Sequence, residues 1–128
     1  MAYTIDMRAA ARRLLESARK LSLNGRHDVA AYLFGLSAEC ALKQVAQTIP
    51  EARSREVLYA HFPELRTRLR DVLQGRRAQP LRRLVEDDRF LNEWEITIRY
   101  ASSEDIRGKP VGAWEAQAVA AINLMEGV

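Results

Sequence analysis

Residues 26–43 read RHDVAAYLFGLSAECALK. Of the fourteen positions from Val29 to Leu42, only Gly35, Ser37 and Glu39 are not apolar. A helix this apolar on all sides is buried nearly all round, so the stretch reads as the spine of a helical bundle. It is too short to span a bilayer, and it carries Glu39 in its second half. A carboxylate inside a buried helix is costly unless it is paired, so Glu39 demands a partner. The adjacent Cys40 lies in the same run and reads as an inert core thiol.

Working outward, Asp6 caps a first helix to about Leu23, with Ala10, Leu14, Ala18 and Leu21 on one face. Asn24-Gly25 ends it, Asp28 is the expected N-cap of the spine helix, and Ile49-Pro50 stops that helix after Gln47. So short a link predicts an antiparallel hairpin. SREVLYA (54–60) reads as one or two helical turns, and Pro63 opens a third helix over 62–73. Residues 74–77 read as a loop, Pro80 as the start of a short helix, and 89–101 as a helix with Phe90, Leu91, Trp94, Ile98 and Ala101 inward. Ile96 and Arg99 then fall on the opposite face. Residues 102–112 read as a loop and 113–125 as a closing helix. No stretch alternates as strands do.

The length of 128 residues suits one domain, 1–128, with a core of its own. The N-terminus meets its charges before any apolar block forms, which predicts neither a signal peptide nor a membrane segment, and a cytoplasmic protein. The net charge of +3 conceals an asymmetry. Residues 53–83 hold nine arginines against Glu56, Glu64 and Asp71, whereas 84–128 hold four basic and nine acidic side chains. A basic middle attracts anions such as RNA, or else is a solvated face beside an acidic one.

One cysteine and two histidines assemble no metal cluster, the glycines form no phosphate loop, and no serine occupies a nucleophile elbow. No metal or cofactor is expected. Three constellations remain. His27-Asp28 is either a proton-handling pair or a helix cap with an exposed imidazole. Arg55 and His61 have the spacing R-x5-H, and an Arg and a His beside a phosphate can cleave RNA without metal. The alternative there is that His61 caps the third helix or packs beside Phe62. Finally, Glu39 and Arg99 can pair, unless Glu39 simply pairs with Lys43 at i,i+4.

The long hairpin, the spine AAYLFGLSAECALK, the segment YAHFPEL, and FLNEWEITIRYA before an Ala-rich helix together resemble the HEPN domain family. The resemblance implies an all-α up-and-down bundle of about five helices and a homodimer. It implies either a metal-independent endoribonuclease, often a toxin, or a non-catalytic partner of nucleotidyltransferases that binds nucleotide or RNA. Arg99 matches the family's motif arginine, Tyr100 the polar residue after it, and Glu39 its supporting charge on the second helix. The family's histidine falls at 104–106, which are Glu104, Asp105 and Ile106 here. The expectation is therefore a non-catalytic or weakly catalytic HEPN protein of a toxin–antitoxin or nucleotidyltransferase-linked system. Arg99, Tyr100 and Glu39 are its binding residues; any catalytic residues would be Arg99 and Glu39, with Arg55 and His61 as outside candidates. A metal-independent endoribonuclease and a structural dimerisation module are the alternatives.

Overall fold

The computed structural model describes residues 3–127, and among these it holds seven α-helices and no strand. They are α1 (Met7–Leu23), α2 (His27–Gln47), α3 (Arg55–Tyr59), α4 (Glu64–Val72), α5 (Gly75–Glu86), α6 (Ser103–Arg107) and α7 (Val111–Gly127). Two 3-10 turns, Pro50–Ala52 and Ile96–Tyr100, complete it. The fold is all-helical as expected, with seven helices rather than about five. No described helix is long and apolar enough to cross a membrane.

The spine is α2, which packs against both α1 and α7. Twelve of its residues are buried, including Phe34, Leu42 and Glu39. Asp6 caps α1 through a bond from the Ala9 amide, and Gly25 takes the left-handed turn at φ 79° that lets α2 double back. The buried Ser37 hydroxyl donates to the Ala11 carbonyl at 2.7 Å and fixes the hairpin's register. Arg8 and Arg12 pair with Glu126, and Arg19 with Glu115, so α7 runs antiparallel to α1. The cap of α2 is Arg26, not Asp28, which lies in the first turn and accepts from the Val29 amide.

The expected helix over 89–101 is not formed. Residues 87–95 are a chain of tight turns, and helical geometry resumes only in the 3-10 turn from Ile96. Leu91 and Glu93 stand at φ 52° and 66°, conformations that a helix excludes. The main-chain groups freed by this path find side-chain partners. Gln117 accepts from the Leu91 amide and donates to the Arg89 carbonyl, Trp114 donates to the Asn92 carbonyl, and Arg66 donates to the Phe90 carbonyl. Phe90, Leu91, Trp94 and Ile98 are still delivered to the core, but Ala101 is exposed and Ile96 is half-buried against the core. The Trp94 indole lies directly on Gly35 of α2 and donates to the Ala31 carbonyl at 3.0 Å.

Two further boundaries differ from the sequence reading. The loop at 74–77 is the first turn of α5, with Pro80 inside that helix, and 102–112 contains α6, capped by the Ser102 hydroxyl.

Candidate functional site

Glu39 lies at the centre of the molecule with no solvent exposure. Its partner is His61, not Arg99: Oε1 lies 2.7 Å from His61 Nδ1, and Oε2 accepts the Phe62 amide at 2.5 Å. The segment YAHFPEL reaches Glu39 because α3 ends at Tyr59 and the chain extends at Ala60 before α4 begins at Glu64. Phe62 packs edge-on against Phe90, with ring centres 5.8 Å apart, which seals the carboxylate from water. Burial pushes the Glu39 carboxyl above its ordinary range, opposed by His61, the Phe62 amide and Lys43. Burial likewise lowers the Lys43 ammonium, and Glu39 opposes that shift. The Cys40 thiol, half-buried against the core rather than within it, is raised mainly by desolvation.

A buried carboxylate on Nδ1 fixes the imidazole plane and leaves Nε2 on the outer side. The His61 side chain is 40% exposed and opens into a shallow recess lined also by Tyr59, Pro63, Glu64, Glu95 and Ile96. Arg55 does not reach Glu39. Its guanidinium lies 5.8 Å from the centre of the Tyr59 ring. Glu64 and Glu95 bring negative charge to the recess, which opposes entry of a phosphate.

Arg99 and Tyr100 occupy a different place. Both are exposed, Tyr100 by 76%, and the Arg99 guanidinium lies 4.8 Å from the centre of the Tyr100 ring. Tyr32 of α2 is the largest influence favouring the charged form of Arg99, followed by Tyr100. No carboxylate forms an ion pair with Arg99 among the described residues. The sequence-based binding set is thus split, with Arg99 and Tyr100 on the surface and Glu39 in the core with His61.

His27 and Asp28 do not form a proton-handling pair. His27 Nδ1 lies 3.3 Å from the Ser22 hydroxyl, while Asp28 accepts from Ser103 at 2.9 Å. The basic middle is also thinner than its count suggests. Arg68, Arg70 and Arg82 are paired with Glu64, Asp88 and Glu86, and Arg66 is spent on the turns at 87–90. Arg76, Arg77 and Arg83 of α5 remain exposed without a carboxylate partner among the described residues. No group of three or more described His, Cys, Asp or Glu side chains is placed to hold a metal ion.

Comparison with known proteins finds no matching family model, no matching curated protein and no matching solved structure.

Proposed function

We propose that this chain is a HEPN-like helical protein that binds RNA or a nucleotide and does not turn it over, or does so slowly. The observation that carries the reading is the Arg99–Tyr100 pair: an exposed aromatic ring with an unneutralised guanidinium over it. Such a surface stacks a nucleobase and attracts its phosphates. Positions 104–106, where the resembled family has its histidine, offer none. A single-stranded RNA oligonucleotide should bind at low salt, and the affinity should fall steeply as salt rises, because each neutralised phosphate releases counterions. Arg99→Ala should weaken it and flatten its salt dependence, and Tyr100→Ala should cost about 1–3 kcal/mol, the range for a lost base–aromatic stack. Anisotropy titrations at two salt concentrations check this. Binding that ignores both salt and Arg99 would defeat the reading.

The same reading makes the protein a homodimer through the side of the 96–100 turn that carries Ile96 and Arg99. Ile96→Glu should give monomers in sedimentation, and an unchanged mass for the variant, or a monomeric wild type at micromolar concentration, would sink the dimer.

A metal-independent ribonuclease is the second reading, favoured by one observation: Glu39 orients His61 as a general base is oriented. Cleavage of RNA in EDTA that His61→Ala abolishes would put it first.

A further inference from the structure

A cleft of about 400 Å³ lies away from His61. It opens where the α1–α2 turn faces α6 and the start of α7, and its walls include Arg26, His27, Asp28, Ser103, Ile106 and Arg107. We infer that this cleft is a phosphate site, which takes the phosphate monoester of a nucleotide whose base lies on Tyr100. The inference extends the preceding reading and rests on it for the class of ligand.

The charge of the lining is positive. Its single carboxylate, Asp28, is already engaged: Oδ1 accepts the Val29 amide at 2.8 Å and lies 3.6 Å from Arg26 Nε, while Oδ2 accepts from Ser103. Arg107 has no ion pair among the described residues, and Glu104 and Asp105 of the same helix do not line the cleft. Arg107, with no ion pair among the described residues, and Arg26, shared with Asp28, line one pocket, and their planar donors suit charge-assisted bonds to a phosphate. His27 presents its ring on the same wall with only Nδ1 engaged, by the Ser22 hydroxyl. The His27 amide finds no backbone acceptor among the described residues, which leaves one further donor there, whereas the Asp28 amide bonds to its own carboxylate.

The stacking pair is near the cleft along the chain. Only Ala101 and Ser102 separate Tyr100 from Ser103, and both are extended. At roughly 3.6 Å per extended residue, the Cα atoms of Tyr100 and Ser103 lie within about 11 Å.

Calorimetric titration of the intact protein at low salt tests this with three probes: inorganic phosphate, a nucleoside 5′-monophosphate and the bare nucleoside. The monophosphate should bind more tightly than either of the others. The double variant Arg26→Gln/Arg107→Gln should weaken the monophosphate and inorganic phosphate about tenfold or more, the loss of charge-assisted bonds. The control Arg76→Gln/Arg77→Gln removes the same charge from α5 and should change neither. All four side chains are exposed, so both variants should fold, which circular dichroism checks. Tyr100→Ala should reduce the monophosphate to the level of inorganic phosphate and leave the latter unchanged. Absence of phosphate and monophosphate binding, or equal losses in the two double variants, would overturn the cleft. RNA binding that depends on Arg99 in a protein blind to phosphate would overturn it while the stacking reading survives. Losses confined to the cleft variant, with Tyr100→Ala silent, would support the cleft and remove the stacking reading.

Discussion

Gly35→Ala should destabilise the protein by about 3–5 kcal/mol, the range for evicting a tryptophan from a core. Helix propensity alone predicts the opposite sign, a gain of about 1 kcal/mol for Gly→Ala inside a helix. Space decides. A Cβ on Gly35 would lie 1.9 Å from Cε2 and 2.1 Å from Nε1 of Trp94. The indole cannot swing aside, because it is 2% exposed and is held to the Ala31 carbonyl. Either the ring leaves with its hydrogen bond, or α2 separates from the turns at 87–95. Urea unfolding followed by tryptophan fluorescence measures the cost. In a Trp94→Ala background the same substitution should become neutral or stabilising, since the clash is gone. A stable Gly35→Ala single variant would contradict this packing.

Glu39→Gln should cost about 3 kcal/mol, since it leaves a buried donor facing an amide NH2 and deprives Lys43 of its counter-charge. The carboxylate accepts from both His61 and the Phe62 amide, and a glutamine oxygen serves only one of them well. Lys43→Gln should cost about 1 kcal/mol, because burial already disfavours the ammonium and a neutral side chain relieves that desolvation. The pH dependence has a definite sign. Burial raises the folded pKa of Glu39 above its unfolded value, so its titration contributes stability that is full below the unfolded pKa and lost as pH rises through the folded one. The gap between wild type and Glu39→Gln should therefore narrow with rising pH across that window and stay constant above it. Parallel denaturation series at several pH values check this, and equal, small effects of the two substitutions would place Glu39 in an ordinary surface pair.

The parts of this architecture written in local chemistry were legible in the sequence. The apolar run 29–42, the Asn24-Gly25 stop and the Asp6 cap define the α1–α2 hairpin without reference to anything distant. The segment 89–101 misled for a physical reason. Phe90, Leu91, Trp94 and Ile98 recur at helical spacing, yet here successive tight turns place them inward, and the side chains that stabilise those turns, Gln117, Trp114 and Arg66, come from other helices. Periodicity records which residues face the core and not the backbone path that brings them there. Glu39 was recognisable as a buried charge in need of a partner, but its partner was a matter of tertiary placement. The overlooked signal was the Phe62 amide, beside a proline that offers none, in a segment too short to satisfy it by helix formation. The cleft between Arg26 and Arg107 joins residues 81 positions apart, and only the fold brings them together.

The central claim is that RNA or a nucleotide lies on the Arg99–Tyr100 surface, and chemical-shift mapping tests it most directly. A short single-stranded RNA titrated into the isotope-labelled protein at low salt, in EDTA, should shift the resonances of Tyr32, Arg99 and Tyr100 first. It should remain uncleaved through the titration. Shifts confined to Arg76, Arg77 and Arg83 of α5, or centred on His61 with the RNA cut, would contradict the account.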